Sequence, residues 1–261
     1  MNSLMLRTVS AAVLAPPVLA AIWFGTPYFE ALVLLAAGIM AWEWELLISK
    51  TSFGVPGIAL GLAAIVGLFL LPMPLLALAV VGGGAMVASL MAPVGSRGWM
   101  ALGGFYIFLP LASFVVLRSA PEGQGLVIWL FLIVWATDIG AYVAGLSIGG
   151  PKLAPSISPK KTWAGLVGGM VAAAAIAIWA GSWFGFVSSS LKLGLIGAVL
   201  AVVAQAGDLF ESHVKRLSGA KDSSQLIPGH GGFLDRVDGL MAAAFALGLL
   251  RLATLEGEWV W

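Results

Sequence analysis

The sequence contains no cysteine. That absence excludes disulfides, thiolate metal sites and cysteine nucleophiles. Charge is also scarce: only 10% of the 261 residues are Asp, Glu, Lys or Arg, against 61% that are hydrophobic. A soluble domain carries roughly 25% charged and about 45–50% apolar residues, so a soluble two-domain enzyme and a disordered chain are both excluded. Neither sign of charge dominates. Thirteen basic and 12 acidic residues leave no basic face for a nucleic acid. The last scarcity is positional, since no Asp and no His occurs in the first 137 residues. What remains is a series of long apolar runs, a mean hydropathy of +1.04 and 11 Trp. Trp anchors chains at the two membrane–water interfaces. The composition is that of an integral membrane protein.

A span needs about 20 mostly apolar residues. Candidates lie at roughly 8–25, 28–49, 55–71, 74–92, 99–117, 124–146, 162–184, 189–207 and 239–254. The pair flanking Pro72 and Pro74 can also be read as one re-entrant unit. With a cytoplasmic N-terminus, one side receives Arg7, Lys50, Arg97, Lys152, Lys160, Lys161, Lys215, Arg216, Lys221 and Arg236. The other side receives only Arg118, Lys192 and Arg251. The bias matches the positive-inside rule. The predicted fold is therefore all-α, a polytopic membrane protein of about nine transmembrane helices with its N-terminus in the cytoplasm. The Gly82–Gly84 cluster and the Ala172–Ala175 run predict close helix packing through small residues.

Polar chemistry gathers late in the chain. All five Asp and both His fall within 138–238. This suggests a scaffold over 1–120 and a catalytic region over 121–261, with cytoplasmic loops at 147–161 and 208–238. In Gln205–Arg216, a helix would place Asp208, Glu211, Ser212 and Lys215 on one face. A carboxylate at the depth of Asp208 is costly unless paired or coordinated; a helix-ending ion pair with Lys215 or Arg216 would also account for it. The glycines around His230 suit either a turn or a backbone cradle for phosphate oxygens. No second His or Cys stands at zinc spacing. Asp235 and Asp238 are three apart at a helix start, which suits Mg²⁺, while acids complementing the helix dipole are the simpler alternative. Between Gly149 and Trp163, Ser158, Lys160, Lys161 and Thr162 assemble cations and hydroxyls before a helix. Such a loop suits a pyrophosphate, or serves as a positive-inside anchor. Asp138, near Tyr142, is a further intramembrane acid: a partner for those lysines or part of the site.

The run Ser212…Lys215-Arg216…Lys221-Asp222…Pro228-Gly229-His230-Gly231-Gly232…Asp235-Arg236-Val237-Asp238 closely resembles the signature of the phosphatidate cytidylyltransferases, or CDP-diacylglycerol synthases. Ser158-Pro159-Lys160-Lys161-Thr162 and Gly207–Ser212 are similar to that family as well, and Trp42-Glu43-Trp44-Glu45 is similar to a short motif near the end of its second span. Ala164 departs from it, standing where an acid is often found. The resemblance implies transfer of a cytidylyl group from CTP to phosphatidate, giving CDP-diacylglycerol and pyrophosphate at the cytoplasmic face of an inner membrane. It also implies Mg²⁺, with room for a second cation, held by Asp208, Asp235 and Asp238, with Asp222 and Lys221 beside them in the catalytic set. Ser158, Lys160, Lys161, Thr162, Ser212, Lys215, Arg216, His230, Gly231, Gly232 and Arg236 would bind substrate. A homodimer among membrane lipids, with no nucleic-acid partner, completes the expectation. The competing readings are a CTP-dependent enzyme acting on another lipid phosphate, and an anion transporter.

Overall fold

The computed structural model describes residues 3–50 and 52–253. Residue 254, the expected end of the last span, and the rest of the C-terminal region lie outside the described residues. Nine α-helices are described: α1 (Ser3–Phe24), α2 (Tyr28–Ser49), α3 (Val55–Phe69), α4 (Pro74–Met91), α5 (Arg97–Arg118), α6 (Gly123–Ser147), α7 (Trp163–Trp183), α8 (Ser190–Leu217) and α9 (Leu234–Leu252). Between α6 and α7 stand two short strands, β1 (Lys152–Ala154) and β2 (Ser158–Thr162). The described residues form an all-α membrane protein with one small hairpin.

Prolines set several boundaries. Pro56 and Pro74 sit in the first turns of α3 and α4, where the missing N–H costs nothing. Residues 70–73 break the apolar run into two packed helices. Among the described residues, six helices are long and apolar enough to cross a membrane: α2, α4, α5 with its preceding 3₁₀ turn, α6, α7 and α8. Val55–Phe69 is a shorter apolar helix. α9 has the length but carries Asp235, Arg236, Asp238 and Arg251.

The chain divides into two compact units, Met1–Val115 with Val214–Val237, and Val116–His213 with Asp238–Trp261. Residues 214–237, which comprise the end of α8, the loop after it and the start of α9, group with the N-terminal helices in the first of these units. In the first unit α3 and α4 pack through Gly84, whose added Cβ would lie 2.2 Å from the Ala63 Cβ. Trp44, fully buried on α2, donates its indole N–H to the Trp99 carbonyl at 3.0 Å.

In the second unit α6 and α7 lie against each other along small residues. A Cβ on Gly140 would meet the Ala172 Cβ at 2.6 Å, and one on Gly168 would meet the Ala144 Cβ at 2.2 Å. α7 and α8 approach at Gly197, 2.8 Å in the same sense from the Ala173 carbonyl. The expected small-residue packing at Ala172–Ala175 is therefore present, whereas in the Gly82–Gly84 cluster only Gly84 makes the close approach. The hairpin is the local surprise. β1 and β2 pair antiparallel, Lys152 opposite Thr162 and Ala154 opposite Ser158, across a stretch read from sequence as loop.

Candidate active site

In the second unit the Ser158–Thr162 motif is strand β2, so neighbouring side chains alternate in direction. Lys160 is exposed, and Lys161 turns in to meet Asp208 of α8 at 2.7 Å. Ser212, one turn on, donates its hydroxyl to the same carboxylate at 3.2 Å. Thr162 is buried and caps α7, its Oγ1 accepting from the Gly165 N–H at 3.0 Å. That hydroxyl is already engaged in starting the helix. Ser158 is half-buried at the hairpin's other end, opposite Ala154.

α8 and α9 touch through glycine at the level of two acids. A Cβ on Gly207 would come within 2.9 Å of the Asp238 carbonyl, and one on Gly239 within 3.0 Å of the Ala204 carbonyl. The dipeptides Gly207-Asp208 and Asp238-Gly239 therefore deliver two half-buried carboxylates from one tight helix crossing. Two hard oxygen donors are what Mg²⁺ takes from a protein when waters and substrate phosphates supply the rest. Among the described residues no three His, Asp or Glu gather as a complete protein cage. The donor set fits a cation completed by substrate, not an enclosed structural site. Asp138 is exposed on α6.

The first unit holds the other half of the motif. Lys215, near the end of α8, pairs with Asp235 at 2.5 Å, and both side chains are almost completely buried. The second Asp235 oxygen accepts the Ser223 N–H at 2.8 Å, the Ser223 hydroxyl at 3.0 Å and the Gly232 N–H at 2.8 Å. Burial alone would raise the Asp235 carboxyl; the hydrogen bonds from Lys215, Gly232 and Ser223, together with the Lys215 charge, outweigh it and hold the group below its ordinary value. Asp235 thus stays ionised and reaches back across the start of α9.

The glycines acquire a physical reason here. Ile227–His230 is a tight turn, with the His230 N–H donating to the Ile227 carbonyl at 2.9 Å and the Ile227 N–H to the Gly231 carbonyl at 2.8 Å. Gly229 and Gly231 have φ of +77° and +83°, which side chains rarely adopt. Gly232 has an ordinary φ but no room, since its Cβ would stand 1.9 Å from Ser223 Oγ. With the His230 and Gly232 amides spent inside the protein, this loop is first of all a turn. Asp222 is exposed beside Gly231, and Lys221, Arg216 and Arg236 are exposed as well. Arg216 donates to the Ala220 carbonyl at 3.1 Å.

One residue of this site lay outside the expected set. Glu43 of α2 is 0% exposed and accepts from Ser223, Ser224, Phe233 and Leu234. The signal was present, because a carboxylate in an apolar helix is costly unless satisfied. Applied to Asp208, that rule singled it out; Glu43 and Glu45 called for the same treatment.

Residues 5–253 match the sequence profile described as the cytidylyltransferase family. The chain belongs to that family. A phosphatidate cytidylyltransferase of Brucella suis is 39% identical over 262 residues, covering 99% of this chain and 97% of the relative. Proteins of the same name from Pseudomonas aeruginosa and Haemophilus influenzae are 41% and 34% identical, covering 91% of the chain in each case and 93% and 94% of the relatives. The likeness runs the length of this cytidylyltransferase, first unit and second alike.

Proposed function

We infer that this cytidylyltransferase transfers the cytidylyl group of CTP to phosphatidate, giving CDP-diacylglycerol and pyrophosphate in phospholipid biosynthesis. The observation that carries the reading is 39% and 41% identity, over 99% and 91% of the chain, to proteins named for that reaction. A lipid-phosphate oxygen bonds to the α-phosphorus of CTP as the bond to the β-phosphate oxygen breaks, and pyrophosphate departs with that electron pair. Such a transfer asks the protein mainly for alignment and charge neutralisation. A phosphate monoester is already ionised, so no general base is required.

Lys161 and Lys215, each held in place by a carboxylate, neutralise phosphate oxygens. The exposed Lys160, Arg216, Lys221 and Arg236 draw an anionic nucleotide toward the membrane surface. Asp208 and Asp238 would hold Mg²⁺, whereas Asp235, expected from the sequence as a third ligand, has both oxygens engaged by Lys215, Ser223 and Gly232. When bound, the ion supplies charge neutralisation at attacking and leaving oxygens. The whole chain crosses an inner membrane nine times with its N-terminus inside, functions as a homodimer, and opens its site to the cytoplasm. The excess of Lys and Arg on one side supports that orientation.

The test is label transfer by purified protein in mixed micelles of phosphatidate with labelled CTP and Mg²⁺. Label should enter the lipid phase, and EDTA should stop it. No transfer by folded protein to phosphatidate, but transfer to another lipid phosphate, would change the acceptor and keep the chemistry.

A further inference from the structure

Glu43 lies near the C-terminal end of α2, yet its partners stand 180 to 191 residues further along the chain. Oε1 accepts twice, and Oε2 accepts the Leu234 N–H and shares the single Ser223 hydroxyl proton with Asp235. Oε1 takes the Ser224 hydroxyl at 2.6 Å and the Phe233 N–H at 2.7 Å; Oε2 takes the Ser223 hydroxyl at 3.1 Å and the Leu234 N–H at 2.7 Å. A carboxylate is the one side chain of this size with four acceptor positions and no donor. Phe233 and Leu234 are the residues at which α9 begins, so Glu43 also satisfies N–H groups that a helix start leaves unpaired.

We propose that Glu43 is a positioning residue for cytidylyl transfer: from α2 it holds the segment Ser223–Leu234, and thereby sets Asp235 and, through it, the Lys215 ammonium. Ser223 is the link. Its hydroxyl lies 3.1 Å from Glu43 and 3.0 Å from Asp235, while its N–H donates to Asp235. Gly232, the other backbone donor to Asp235, has no space for a Cβ, which would fall 2.6 Å from Glu43 Oε1. A shift of this segment moves two of the Asp235 partners at once. The proposal rests on Lys215 and Asp235 belonging to the phosphate-handling set. Glu45 supplies the contrast: it is equally buried and accepts the Gly54 and Gly57 N–H groups, each at 2.9 Å, but none of its partners belongs to the site.

The experiment compares full-length wild type with Glu43→Gln, Glu43→Asp, Glu45→Gln and Ser224→Ala, reading kcat, both KM values and melting temperature in detergent. Glu43→Gln keeps one acceptor oxygen and turns an NH₂ toward two donors. It should lower kcat per folded molecule about tenfold or more, with smaller changes in KM. Glu43→Asp keeps both oxygens and should recover part of that loss. Glu45→Gln should lower the melting temperature and leave kcat per folded molecule unchanged. A folded Glu43→Gln with kcat within about twofold of wild type overturns the proposal, as does an equal kcat loss in Glu45→Gln. Should Glu43→Gln fail to fold, Ser224→Ala decides, a lower kcat supporting the proposal and an unchanged one overturning it. Inactive wild type would instead strike at the assigned reaction, and an active Asp235→Asn at the site on which this role rests.

Discussion

Lys161 and Asp208 show what one pair of side chains can be asked to do. An ammonium held 2.7 Å from a half-buried carboxylate is placed, not merely present. Lys161→Ala should therefore raise the KM for CTP or lower kcat by about tenfold, as steady-state kinetics would show; an unchanged profile returns that lysine to an anchoring role. Asp238→Asn keeps the size and removes the charge, and should reduce kcat by about a hundredfold or more while the melting temperature holds. Asp235 adds a pH dependence whose sign follows from its lowered carboxyl. A group more acidic when folded than unfolded stabilises the fold at pH above its ordinary value of 3.8, and that contribution is lost as pH falls through the lower folded value. Thermal melts in detergent should show wild type losing stability in this acid window, and Asp235→Asn showing a weaker dependence.

At the level of elements, contact through glycine separates neighbours that look alike in the sequence. An added Cβ at Gly84 would lie 2.2 Å from the Ala63 Cβ, whereas nothing stands within 4 Å of one at Gly83. Gly84→Ala should thus destabilise the α3–α4 pair by about 1–3 kcal/mol, while Gly83→Ala should be neutral or mildly stabilising through its better helix propensity. Paired melting curves would check both. The helices themselves were legible because apolar length and proline position are local properties. Hairpin β1–β2 was not legible, since Pro151, Pro155 and Pro159 following the Gly149-Gly150 pair read as loop. Only pairing between its two arms makes strands of them.

For the whole molecule, the cysteine-free sequence offers a clean background for topology. Leu226→Cys introduces a thiol at an exposed position of the loop before α9, and Lys192→Cys one near the start of α8. In intact cells, an impermeant thiol reagent should label position 192 and reach 226 only after the cytoplasmic side is opened. The reverse pattern would invert the orientation. Ser223 would be a poor reporter, being only 6% exposed.

Composition and local spacing by themselves determined the membrane class, the run of helices and the polar segment in which the chemistry had to lie. Each of those depends on neighbours in the chain, and the motif from Ser212 to Asp238 is contiguous enough to be read as a word. Partners were decided only by the tertiary structure. Lys161 reaches Asp208 across 47 positions because β2 turns it inward, and Lys215 meets Asp235 because a turn of glycines brings the start of α9 back to the end of α8. Glu43 is the extreme case. Its four hydrogen bonds join residues at least 180 positions apart, and no local pattern records which distant N–H a buried carboxylate will satisfy.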